Sequence, residues 1–134
     1  MQDMTMKESS VCGLYAIDGL SFLCKDMTFT QCGQIGVSAE NTKGKLINCV
    51  ITQCGGSGIW CDENVLIELE GDQTKVNGNV ADGFGYGLYT YSTSSIIHLL
   101  FPLTQESVST NNQGGGNYGG GGGTIETVDA LESL

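Results

Sequence analysis

The sequence predicts an all-β chain wound as a parallel β-solenoid of about four to five coils. Three observations lead there: a repeat of about 22 residues, two-residue alternation of apolar side chains inside each copy, and turn residues at a fixed place between copies. Phe29-Thr30-Gln31-Cys32-Gly33 and Ile51-Thr52-Gln53-Cys54-Gly55 are near-copies 22 positions apart. A second series reads Gly13-Leu14-Tyr15-Ala16, Gly36-Val37-Ser38-Ala39, Gly58-Ile59-Trp60-Cys61 and Gly87-Leu88-Tyr89-Thr90. Self-similarity at such a period marks stacked units, none of which buries its faces alone.

Each anchor alternates over four to six residues, the period of a strand. In the first strand of each coil, alternation sends Leu14, Val37, Ile59 and Leu88 inward, with Ala16, Ala39, Cys61 and Thr90 two positions on. A second apolar stretch follows each first strand: Cys24 to Phe29, Leu46 to Ile51, Leu66 to Leu69, and Ile96 to Leu100. There Met27, Cys49 and Leu69 are expected to stack, as are Phe29 and Ile51. The turn closing each coil is expected to form a structural ladder of Cys32, Cys54, Asn77 and Asn111, because asparagine tolerates left-handed backbone and can chain its amides. Residues 1–10 form an N-terminal segment, 11–110 the coils, 111–123 a glycine-rich loop, and 124–134 a final strand with a C-terminal stub.

Composition narrows the functional classes. Fifteen acidic residues face five lysines and no arginine, a net charge of −10. That argues against nucleic acid as a partner, since phosphate binding needs cationic side chains to displace counterions. No apolar run reaches the roughly 18 residues of a transmembrane helix. No secretory leader is readable at the start, so a cytoplasmic location or one inside a virus particle is expected rather than secretion. Glycine occurs 21 times and proline once, and the glycines have no three-residue period, which excludes collagen. Cys12, Cys24, Cys32, Cys49, Cys54 and Cys61 include no CxxC pair, and the single histidine, His98, is remote in sequence. Neither a metal site nor any other cofactor is expected, and the cysteines read as small core residues. Eight glycines within 114–123 lack the GK[ST] ending of a phosphate loop.

The Gly-apolar-x-small strand, the apolar strand after it and the Asn-Gly or Cys-Gly turn resemble the right-handed parallel β-helix, the pectate-lyase-like group, over roughly residues 11–128. The block from Ser95-Ile96-Ile97-His98-Leu99-Leu100 through Gly114-Gly115-Gly116-Asn117-Tyr118 to Thr124-Ile125 is similar to closing segments of β-helix proteins from algae and large algal viruses. The resemblance implies a right-handed winding. It also implies that an active relative would be a polysaccharide lyase or glycoside hydrolase. Lyases of the group use a basic residue and calcium-holding carboxylates. Here Lys25, Lys43, Lys45 and Lys75 stand off the outward row of the first strand. The outward carboxylates Asp26 and Glu68, separated by Asn48, would lie about 9.6 Å apart from rung spacing alone. No base is seen to converge on them. Asp62, Glu63, Glu70 and Asp72 read as a solvated acidic rim, and His98 as a structural histidine. No catalytic residue is assigned.

What remains is an outward row at one equivalent position: Tyr15, Ser38, Trp60 and Tyr89, with Tyr91 beyond it. Exposed rings suit a protein hot spot or a sugar ring. Tyr15, Trp60, Tyr89 and Tyr91 are therefore the candidate partner or ligand face. The expected function is a non-catalytic structural or protein-binding module of a larger assembly, such as a minor virion component, with end-to-end or edge contact to another chain. A carbohydrate-binding or carbohydrate-modifying domain using the same row is the alternative.

Overall fold

The computed structural model describes residues 5–7, 12–19, 21–80 and 85–129. It is an all-β parallel solenoid of about four turns. Three strands per coil stack into three five-stranded sheets. The first sheet holds β2 (Leu14–Ile17), β5 (Val37–Glu40), β8 (Ile59–Cys61), β11 (Leu88–Thr90) and β14 (Tyr118–Gly120). The second holds β3 (Phe22–Lys25), β6 (Thr42–Ile47), β9 (Val65–Glu70), β12 (Ser95–Leu100) and β15 (Thr124–Val128). The third holds β1 (Thr5–Lys7), β4 (Thr28–Thr30), β7 (Val50–Thr52), β10 (Lys75–Asn77) and β13 (Ser109–Thr110). One short helix, α1 (Gln105–Val108), precedes β13 and is capped by Thr104.

The core is a set of vertical columns. Leu14, Val37, Ile59 and Leu88 are mutual neighbours along the first sheet. Phe29, Ile51, Val76 and Ser109 form the column of the third. Phe29, Met27, Leu46, Ile51 and Ile59 are fully enclosed, and each such side chain contributes about 1.5–3 kcal/mol by leaving water.

Three expectations shift in register. Leu69 does not stack on Met27 and Cys49; it stands in the second sheet with Cys24, Leu46 and Leu99. The corner after β9 carries two more residues than the corner after β6, because Ile47 pairs with Glu70 while Val50 pairs with Lys75. Cys49 thus aligns with Thr74, as the bond from the Lys75 amide to the Cys49 carbonyl shows.

The turn ladder also moves. Asn77 lies within β10, paired to Thr52 and Thr110. Gly78 takes the left-handed position that Gln31, Gln53 and Asn111 occupy in other coils. The residues after them, Cys32, Cys54, Asn79 and Asn112, form one column, buried through Asn79 and partly covered at Asn112. Asn79 Oδ1 accepts from the Cys54 amide at 2.9 Å, and its Nδ2 donates to the Ile51 carbonyl and to Asn112 Oδ1, both at 3.0 Å. Asn112 repeats the pattern on the Asn79 amide and the Val76 carbonyl. The thiols of Cys32 and Cys54 point to carbonyls of their own coils, Thr30 and Thr52.

The segment expected to be a glycine-rich loop is a fifth rung. Tyr118–Gly120 pairs with Leu88–Thr90, and Leu88 and Gly87 donate to the carbonyls of Asn117 and Gly116. Glycine is needed because a Cβ on Gly115 or Gly119 would come within 2.6 Å of the Tyr86 ring. Of the N-terminal segment, residues 5–7 pair with β4. The rest of 1–10, residues 81–84 of the insertion between coils, and residues 130–134 of the stub lie outside the described residues.

Two substitutions test this core. Ile51→Asp is expected to yield no cooperative unfolding transition, since the charge would have no partner inside the column. Asn79→Ala, which strands the buried Cys54 amide, is expected to cost about 1–3 kcal/mol in urea unfolding. Asn79→Cys, the residue that other coils use, is expected to cost less.

Candidate functional site

The first sheet turns one residue in two outward, and its registers place Tyr15, Ser38, Trp60, Tyr89 and Gly119 in a single row. Trp60 and Tyr89 stack with centroids 4.3 Å apart and planes 20° apart. Tyr91 lies 5.8 Å from Trp60 and 6.3 Å from Tyr89, again near-parallel. Tyr86 meets Tyr89 edge-on at 5.3 Å. Burial in this stack, reinforced by Tyr86 and Tyr91, raises the Tyr89 hydroxyl above its ordinary range. Trp60 and Tyr89 are partly covered while Tyr91 is half exposed.

Three of the four expected face residues therefore come together, and Tyr15 does not join them. It is 63 % exposed, and the rung between it and Trp60 carries serine. Tyr86 is the member that the repeat pattern could not supply, because it sits in the insertion before β11. Its amide donates to Ser57 Oγ at 3.2 Å, and its ring lies over Gly115 and Gly119.

Asp26 and Glu68 stand in different columns. Asp26 takes a left-handed corner position, as do Asn48 and Gly71 in the coils below it. Glu68 lies within the second sheet, opposite Lys45 on one side and His98 on the other. Sequence spacing hid that neighbourhood, because insertions make the intervals between Lys45, Glu68, His98 and Glu126 unequal. A shallow cleft of about 250 Å³ runs beside Glu68, lined by Ser21, Lys43, Lys45 and Leu66. Lys45 Nζ reaches Glu70 at 3.1 Å, a partly exposed contact contributing at most about 1 kcal/mol.

Elsewhere acids crowd a corner. Asp62, then slight burial, then Asp18 and Glu63, raise the Glu40 carboxyl above the usual range. Among the described residues, no three His, Cys, Asp or Glu side chains are placed to hold a metal ion. No helix among them is long and apolar enough to cross a membrane.

All six cysteines are unbridged. Burial pushes the Cys24 thiol up to about 11 and the Cys54 thiol up to about 12, and it raises Cys49 and Cys61 as well. Thiolates are the reactive form, so these side chains behave as packing groups.

The fold and this face define a parallel β-solenoid with a ring stack on one outer sheet. Comparison with known families, curated proteins and solved structures finds no match for the chain. The assignment accordingly stands at the solenoid itself.

Thiol chemistry supplies a check. In the folded protein Cys12, the least enclosed cysteine, is expected to alkylate first, with all six modified after unfolding, as read by intact mass. Stability is expected to hold below pH 9, where unfolded thiols are still protonated. It then falls as pH rises toward about 11–12, because the folded state retains protons on Cys24 and Cys54 that the unfolded chain gives up. Urea midpoints at pH 8 and 10.5 measure this.

Proposed function

We propose that the chain is a non-catalytic β-solenoid module that binds another protein through the ring stack of its first sheet, as one part of a larger assembly. The observation that carries this reading is the face-to-face packing of Trp60 and Tyr89 at 4.3 Å with Tyr91 half exposed alongside. Aromatic clusters with a partly open border are the composition of protein hot spots. A sugar ring needs a free aromatic face, and here the faces of Trp60 and Tyr89 are turned on each other. Protein contact is thus favoured over the carbohydrate reading, which retains Tyr91 as its one open ring.

The ends of the solenoid support assembly. Leu14 and Phe22 in the first coil and Ile125 in the last are packed on the core yet only partly buried. The terminal strands of each sheet have one unpaired side among the described residues, and parallel edges of this kind accept another strand. A right-handed winding, kinship with the pectate-lyase-like group and a place in a virus particle belong to this proposal. They rest on the coil pattern and on the similarity of the closing segment.

The test is photo-crosslinking from a benzoylphenylalanine placed at Tyr91 in the protein's native setting, with Trp60→Ala in parallel. One discrete protein adduct, with its yield cut at least about tenfold by Trp60→Ala, is the expected result; a central hot-spot aromatic commonly contributes 2 kcal/mol or more. A clean monomer in light scattering with no adduct overturns it. A glycan-array signal abolished by Trp60→Ala transfers the site to carbohydrate.

A further inference from the structure

Beside the ring stack, the outer side of the first sheet carries a second row, two residues further along each strand. Ala39 pairs with Cys61 and Cys61 with Thr90. The next outward residues, Glu40, Asp62 and Tyr91, therefore stand on successive rungs about 4.8 Å apart. The Asp62 amide donates to the Ala39 carbonyl and the Tyr91 amide to the Cys61 carbonyl, which keeps the row in step past the ends of β8 and β11. Tyr91 thus belongs to both rows. Its half-exposed ring lies 5.8 Å from Trp60, and its neighbour one rung away is a carboxylate.

The carboxylates of this row are uncompensated. Like charges directly opposite one another in a sheet repel, and Asp62 is the foremost cause of the raised Glu40 carboxyl. Asp18 and Glu63 flank the pair, the Asp18 amide bonded to the Glu40 carbonyl and the Glu63 carbonyl to the Asn41 amide. Among the described residues the ion pairs are Lys45 with Glu70 and His98 with Glu126, both on the second sheet. Four acids without a cation thus border an open tyrosine, in a chain of net charge −10.

We propose, on the reading of the ring stack as a protein-binding face, that this face receives an arginine from a basic segment of the partner, the guanidinium lying on Tyr91 and pairing with Asp62 and Glu40. A cation over an aromatic face is held by the quadrupole of the ring, and a carboxylate in reach of the same cation adds a charge-assisted hydrogen bond. Arginine uses both at once, because its planar group stacks on a ring while its edge donates two parallel N–H bonds. An apolar segment would cover Asp62 and Glu40 without giving them a partner, and an acidic one would be repelled. The chain itself has no arginine, so the group comes from a different protein and not from a second copy.

Trp60 is the only tryptophan of the chain, so its fluorescence reports on this face in the intact protein. Titration with the blocked peptide acetyl-Gly-Arg-Gly-amide is expected to change the Trp60 emission. Its citrulline counterpart, neutral but of the same shape, is expected to bind at least about fivefold more weakly. Glu40→Gln combined with Asp62→Asn is expected to weaken the arginine peptide by a similar factor. Both side chains reach solvent and the exchange removes a repulsion, so the fold is expected to hold. Equal affinity for the two peptides, unchanged arginine affinity in the double variant, or no Trp60 response up to about 10 mM arginine peptide overturns the proposal. The photo-adduct from position 91 separates that failure from failure of the protein-binding reading: an adduct whose yield the double variant leaves unchanged keeps the protein face and removes the arginine.

Discussion

Everything in this molecule depends on parallel backbone pairing between one coil and the next. Rungs about 4.8 Å apart force residues at equivalent places into contact, so each column must be chemically self-compatible. Aliphatic columns satisfy this by burial, and the Asn79–Asn112 column satisfies it by passing an amide bond upward at each step. The corners obey the same rule. Asp26 and Asn48, and likewise Gln31, Gln53 and Asn111, share left-handed backbone at matching places, with Gly71 and Gly78 substituting where those columns continue. Non-glycine residues at positive φ are strained unless their neighbours hold them; here the coils on either side do.

The same rule decided how much could be read from the chain. Strands of the first sheet were legible, because Leu14, Val37, Ile59 and Leu88 recur with little interruption and alternate cleanly. Corners were harder. Two added residues near Asp72 and Gln73 shift the frame beyond Leu69, so the counterpart of Cys49 is Thr74, while Leu69 belongs with Leu46. The resemblance of Asn77-Gly78 to Cys54-Gly55 concealed that glycine was filling the left-handed site, one place ahead of the true counterpart, Asn79. Glycines at 114–123 suggest freedom, yet Gly115 and Gly119 mark proximity to the Tyr86 ring, and Gly120 and Gly121 to the backbone of Thr90 and Tyr91.

The outer surface followed a similar division. Trp60 and Tyr89 are legible in sequence because they share a row position within regular strands. Tyr86 approaches the stack from an insertion, and no periodicity points to it. Glu68 and His98 are direct neighbours in register, at the same offset that matches Leu66 to Ile96 in the apolar stretches. The first sheet gathers aromatics outside, while the second gathers ionisable groups.

The two surplus residues at the corner after β9 carry a wider consequence. Pairing resumes in register immediately beyond them, with Lys75 opposite Val50, and the Gln73 amide is held by Asn48 Oδ1 at 3.0 Å. A bend of this architecture therefore absorbs added length locally, because each rung is positioned by those beside it and not by the distance travelled along the chain. Such vertices are natural grafting points, where new segments can be introduced and exchanged while the wall between them goes unchanged.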